Sequence, residues 1–130
     1  MISFSDFQDI ADTLGLKIVE DENHQEWNMY IDSPLFNDCH NRTIDGSVMA
    51  ISFKTQSVWI YPCIERIEYP WDNTKHWHLA AEMDNLNITG NKYSDKEKSF
   101  FIEEIRKIIM KVKNKQEELE LEKIKGDFQC

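Results

Sequence analysis

A stripe of apolar residues at helical spacing opens the chain and predicts a short helix that packs on a sheet. The run from Ser5 to Gln8 has the form of a capping box, so the expected helix begins at Ser5. Gly15 follows the stripe and is a natural stop, because glycine readily adopts the left-handed conformation that ends helices. The stripe consists of Phe4, Phe7, Ile10, Ala11 and Leu14.

Alternating apolar and polar positions then predict two antiparallel strands. The first covers residues 16–20, and the second covers residues 26–32, with Trp27, Met29 and Ile31 on one face. Pro34 ends the second strand, since the residue before a proline favours extended or turn geometry. Residues 32–46 form the longest predicted loop, and loops of that length are often functional.

Two further apolar runs, residues 47–54 and 57–61, predict a second hairpin around Thr55 and Gln56. The first run is almost continuously apolar, which favours a central strand that is covered on both faces. Pro62 and the turn-forming residues 69–73 indicate that the next segment is rich in turns. Residues 76–82 fit either a strand or a short helix, and we favour a strand that pairs with residues 58–61.

A long run without glycine or proline predicts a C-terminal helix over residues 94–125, opened by a capping box at Ser94. Its apolar stripe is wide as far as Val112 and then continues only through Lys115 and Leu119. The distal end of the helix therefore either stands in solvent or pairs with a second copy, so that the protein is a monomer or a homodimer through this helix.

These elements predict an α+β fold in one domain, residues 1–130. We expect an antiparallel sheet of about four or five strands, with the short N-terminal helix and the long C-terminal helix packed on it. The chain is 41% hydrophobic, which is enough to bury a core without disulfides or metals. No apolar window approaches the roughly 20 residues of a membrane span.

The net charge of −9 is concentrated outside the long helix. Residues 1–93 contain 15 acidic and 6 basic side chains, a balance of −9, whereas residues 94–126 contain 8 acidic and 9 basic ones. An acidic body repels nucleic-acid phosphates and favours a basic protein partner. The simpler interpretation is that the acidity confers solubility.

Histidine and cysteine side chains are the most specific candidates for a metal site. Residues two apart on a strand point to the same face, so His76 and His78 could approach one ion, and zinc also takes thiolate ligands. We therefore predict a structural zinc as a hypothesis, although no spacing matches a known zinc motif. The alternative is that these are ordinary buried and surface residues. The candidate ligands are Cys39, Cys63, His76 and His78, with His40 as the alternative to Cys39.

The sequence gives no support for catalysis. It contains four glycines, no phosphate-binding loop, no dinucleotide fingerprint and no nucleophile elbow. We therefore expect a protein that is not an enzyme. Three widely spaced cysteines and an N-terminus without a basic and then apolar region favour the cytoplasm over secretion.

Aromatic and acidic side chains are the candidates for partner binding. Tyr61, Tyr69, Trp71 and Trp77 cluster around two proline-containing turns, and tyrosine and tryptophan often anchor protein interfaces. The alternative is that they fill the edge of the core. The predicted partner-binding residues are Tyr69, Trp71, Trp77, Asp6, Asp9, Asp12, Glu20, Asp21 and Glu22.

A small acidic chain rich in Lys, Glu, Asn and Ile, with a long terminal helix and no enzyme motif, resembles small inhibitors encoded by phages and mobile elements, type II anti-CRISPR proteins among them. The resemblance is one of general character over the whole chain, so no functional residue is carried over. It implies an inhibitor, in the host cytoplasm, that binds a basic nucleic-acid-handling enzyme such as a Cas nuclease and blocks its nucleic-acid-binding surface. The alternatives are a toxin-immunity protein, which shares this size and acidity, and a metal-dependent domain.

Overall fold

A computed structural model describes residues 2–23, 25–36, 45–55, 57–69, 72–81, 93 and 95–128. Helix α1 spans Phe4–Leu14, and the long helix α2 spans Lys98–Phe128. Within these residues, six strands and one 3-10 turn lie between α1 and α2. They are β1 (Lys17–Asp21), β2 (Glu26–Tyr30), the turn (Pro34–Phe36), β3 (Ser47–Ser52), β4 (Val58–Ile60), β5 (Cys63–Tyr69) and β6 (Asp72–Ala80).

The strands form two antiparallel sheets, one with the order β1-β2-β3-β4 and one made of β5 and β6. The predicted α+β class and both predicted hairpins of the larger sheet are confirmed. Residues 47–51 of β3 are all buried between β2 and β4, as the continuous apolar run predicts. The central strand of the larger sheet is therefore apolar and buried. The two described helices contact each other.

Two predictions about this region are wrong. Residues 62–69 were expected to be rich in turns, but Cys63–Tyr69 form β5. The strand predicted at residues 76–82 exists as β6, yet it pairs with β5 and not with β4. The reason is proximity along the chain, because strands that follow each other closely usually pair.

The predicted start of α1 is also wrong. Ser3, and not Ser5, caps the helix: its hydroxyl accepts a hydrogen bond from the Asp6 backbone N–H at 3.1 Å, and the Asp6 carboxylate accepts one from the Ser3 N–H. These bonds hold the pKa of Asp6 below its usual value. Gly15 ends the helix in the left-handed conformation with φ of 68°, as predicted.

Helix α2 begins at Lys98, four residues after the predicted cap at Ser94, and continues beyond Lys125 to Phe128. Ser94 itself lies outside the described residues. The predicted apolar stripe is confirmed, because Phe101, Ile105, Ile108 and Val112 are buried and Leu119 packs against the core at half burial. The same core includes Phe7 and Ile10 of α1, Met29 of β2, Phe36 of the 3-10 turn, and Met49 and Ile51 of β3.

Candidate functional site

A cavity of about 280 Å³ opens between the larger sheet and β6. Strand alternation points Glu26 and Asn28 away from the core residue Met29, towards this cavity. Hairpin β5–β6 supplies the opposite wall, and β6 contacts β3. The residues that line the cavity are Asp21, Glu26, Asn28, Ser47, Tyr61, His78 and Leu79. We call this the inter-sheet cavity.

Two carboxylates face each other at one end of the inter-sheet cavity. Asp21 and Glu26 are direct cross-strand partners in the antiparallel pair of β1 and β2. Side chains that are directly opposite each other lie within about 5.5 Å at Cβ, and like charges there are unfavourable unless a cation balances them. The described lining contains no lysine or arginine. This end of the cavity is therefore acidic, and the Glu26 carboxylate lines it.

Neutral polar groups continue the wall next to Glu26. The Asn28 side-chain amide donates to the Glu26 carboxylate at 3.4 Å, and the Ser47 hydroxyl donates to the Asn28 carbonyl oxygen at 2.8 Å. Both contacts orient groups that a ligand could use as acceptors. The polar wall has a fixed arrangement because each of its side chains is held by the next.

Tyr61 follows β4 and places its phenol in the same cavity. Burial, with a smaller contribution from the negative charge of Glu26, raises the pKa of Tyr61 to about 12. Both effects disfavour the phenolate. Tyr61 therefore stays protonated at neutral pH and offers a hydroxyl as a hydrogen-bond donor or acceptor.

His78 forms part of the far wall of the inter-sheet cavity. Its Nε2 atom lies 3.5 Å from the Glu65 carboxylate, its cross-strand partner, which is within the distance of an ion pair. The geometry is not that of a hydrogen bond, and Nε2 is buried without a hydrogen-bond partner among the described residues. A ligand with an acceptor or donor at this position would satisfy an atom that the described protein groups leave unsatisfied.

The predicted zinc ligands are only partly within the described residues. Cys63 and Glu65 are two residues apart on β5, and His78 lies opposite Glu65, so Cys63 and His78 share one face of the hairpin. His76 lies on β6 opposite Ile67. Cys39 and His40 lie outside the described residues. Within the described part of the chain, no three His, Cys, Asp or Glu side chains are grouped to hold a metal ion. The zinc site stays a prediction.

The predicted aromatic anchors differ in their surroundings. Trp77 is half-buried, with the Arg66 guanidinium 5.3 Å and the Lys115 ammonium 4.7 Å from its ring centroid. Cations at these distances are attracted to the ring, so the contact of Trp77 with Lys115 links β6 to α2. Tyr69 lies in β5, and Trp71 lies outside the described residues.

The predicted acidic residues divide into two groups. Asp6 and Asp9 lie on α1 near the Lys98 ammonium, at 4.0 Å and 3.3 Å, so part of their charge is balanced within the protein. The others lie on the exposed side of α1 or along β1 and its turn. These are Asp12, Glu20 and Glu22, all exposed, and Asp21 in the inter-sheet cavity.

Sequence reasoning did not select Glu26, Asn28 and Ser47 as site residues. A signal was available in the sequence. The strand next to the polar face of β2 is apolar on both faces, so a second layer must cover it on that side, and the polar face of β2 then faces the same layer. It also missed an aromatic row in which Trp27 lies 4.2 Å from Phe4 and 4.0 Å from Phe53, measured between ring centroids.

Comparisons with known proteins found no match to any family model, curated protein or solved structure. Within the described residues, no helix combines the length and the apolar character that a membrane crossing requires.

Proposed function

We propose that this protein is a binding inhibitor that captures a basic segment of a nucleic-acid-handling enzyme, such as a Cas nuclease, and blocks its nucleic-acid-binding surface. The observation that carries the proposal is the Glu26 carboxylate in the inter-sheet cavity, beside the acceptor oxygens of Asn28 and Ser47. An arginine or lysine side chain of the partner enters this cavity.

The size of the cavity favours a single side chain. A volume of about 280 Å³ is slightly below the usual range of drug-sized ligand pockets. A guanidinium group presents several donors in one plane and can bond more than one acceptor at once. Glu26 and its neighbours Asn28 and Ser47 offer such acceptors.

The charge around the cavity supports a basic partner. Glu22 is exposed in the turn directly after Asp21, and Glu20 is exposed on the opposite face of β1. Opposite charges on two proteins speed their encounter and orient it, and added salt weakens the attraction. The acidic residues on β1 and the turn after it therefore guide the partner, and the cavity holds its side chain.

The proposal is tested by capture of partners from host lysate and by titration of the captured enzyme, or of a purified Cas nuclease, in increasing salt. We expect the affinity to fall at least about tenfold between 50 and 300 mM sodium chloride. We also expect the protein to displace nucleic acid from the enzyme. An affinity that is independent of salt would contradict the proposal.

A matched pair of variants separates the cavity from general acidity. Glu26→Gln removes one charge inside the cavity, and we expect it to weaken binding at least about tenfold, because it leaves the partner's buried cation less well balanced. Glu103→Gln removes the same charge from an exposed position on α2 and is expected to change the affinity less than about twofold. Equal losses in the two variants would exclude the cavity as the binding site.

A further inference from the structure

Among the side chains that the structure describes, three large apolar ones on α2 are exposed on the face away from the core. Met110, Leu121 and Ile124 are 56%, 59% and 51% exposed. At 3.6 residues per turn, two residues correspond to a rotation of about 200°, so Met110 lies opposite the buried Ile108 and Val112. Met110 therefore faces away from the side of α2 that packs on the described core.

The same three residues fall on one regular line along the helix. Steps of four, three, four and three residues lead from Met110 through Asn114 and Glu117 to Leu121 and Ile124. Alternating steps of three and four keep side chains facing a second helix along a coiled-coil contact. We call these five positions the outer seam.

The charge of α2 changes sign along the outer seam. Residues 106–115 include five basic side chains and no acidic one, and residues 117–122 include four acidic side chains and no basic one. Two such helices repel each other when they are parallel and in register. They attract each other when they are antiparallel, because the basic block of each then faces the acidic block of the other. The helix is therefore complementary to itself.

We infer that two copies of this chain pair through their outer seams, antiparallel and about a twofold axis. A twofold axis makes every contact occur twice, which is the arrangement that a self-complementary surface favours. In the register that places Leu121 against Met110 of the second copy, Asn114 faces Glu117 of the second copy. An amide can donate to a carboxylate there, and polar residues within a seam fix register at a cost in stability.

Charged residues beside the seam complete the match. Lys113 and Glu120 lie on the same side of the outer seam, and the twofold axis brings Lys113 of each copy next to Glu120 of the other. Two of these ion pairs form per dimer. The apolar part of the seam is thin, so we expect a reversible dimer and not a permanent one.

The inference does not depend on the proposed function, and sedimentation equilibrium of the full-length chain tests it. Measurements from about 10 to 500 µM, with a reductant to prevent disulfide cross-links, should show a reversible shift from the 15.5 kDa chain mass to twice that mass. Leu121→Ser should abolish the shift. Circular dichroism should show an unchanged fold, because Leu121 is exposed in the single chain.

A charge exchange tests the antiparallel arrangement. Lys113→Glu and Glu120→Lys should each weaken the dimer at least about tenfold, because each places like charges opposite each other twice. The double variant, and an equimolar mixture of the two single variants, should restore it. A monomeric wild type over the whole concentration range would overturn the inference. A dimer that survives Leu121→Ser, or one that the double variant fails to restore, would overturn it equally.

Discussion

Replacement of Phe101 by alanine is expected to lower the free energy of unfolding by about 3–5 kcal/mol. Phe101 is fully buried in the core, on the helix α2 that contacts α1, so its loss leaves a cavity as well as removing apolar burial. A loss of this size is a large part of the 5–15 kcal/mol that typically stabilises a domain. Urea unfolding monitored by tryptophan fluorescence gives the value.

The neighbouring residue provides the control. Phe100 packs edge to face against Phe101 with a centroid distance of 5.4 Å but is only half-buried, and the Lys96 ammonium lies 5.2 Å from its ring centroid. Phe100→Ala removes the same side chain from the same turn of helix, yet we expect a loss of only about 1–2 kcal/mol. Equal losses in the two variants would contradict the described orientation of α2.

Alkaline destabilisation through Tyr61 is the second large expected effect. The pKa of Tyr61 is about 12 in the folded protein, above the usual value of 10, so the folded state keeps the proton that the unfolded state loses. The contribution of the raised Tyr61 pKa to the free energy of unfolding is therefore complete below pH 10. It declines as the pH rises to 12. One pKa unit corresponds to about 1.4 kcal/mol, so the total decline is about 2–3 kcal/mol.

Two variants isolate this contribution. The difference in free energy of unfolding between wild type and Tyr61→Phe should be constant below pH 10 and should change by about 2–3 kcal/mol between pH 10 and pH 12. Glu26→Gln should reduce the decline only in part, since burial is the larger cause of the raised pKa. A difference that does not vary with pH would show that Tyr61 is exposed to water.

Sequence patterns predict the secondary-structure elements of this fold better than they predict which strands pair with each other. Periodicity identified α1, α2 and the strands of the larger sheet, because each of these buries one regular stripe. Strand β5 was missed because Glu65, Arg66 and Glu68 interrupt its apolar residues and mask the alternation. The start of α1 was misplaced because both Ser3 and Ser5 are good caps, and only the reciprocal bonds with Asp6 distinguish them.

The candidate site was less accessible to sequence reasoning for a similar reason. The inter-sheet cavity combines residues from β1, β2, β3, β6 and the end of β4, and no local pattern records how two sheets are stacked. Asp21 was selected for its charge alone, and Glu26 was not selected at all. Their importance comes from the cross-strand register, which places the two carboxylates opposite each other.

Hairpin β5–β6 forms its own two-stranded sheet. This separation from the larger sheet determines what it costs to detach the hairpin locally. An isolated two-stranded hairpin is marginally stable in water, so this one depends on its contacts with β3, α2 and the 3-10 turn. Its detachment breaks no hydrogen bond of the larger sheet, and local opening of this kind costs less than global unfolding. Because His78 and Leu79 are a wall of the inter-sheet cavity, a group bound there holds the two sheets together, and occupancy and hairpin docking are thermodynamically linked.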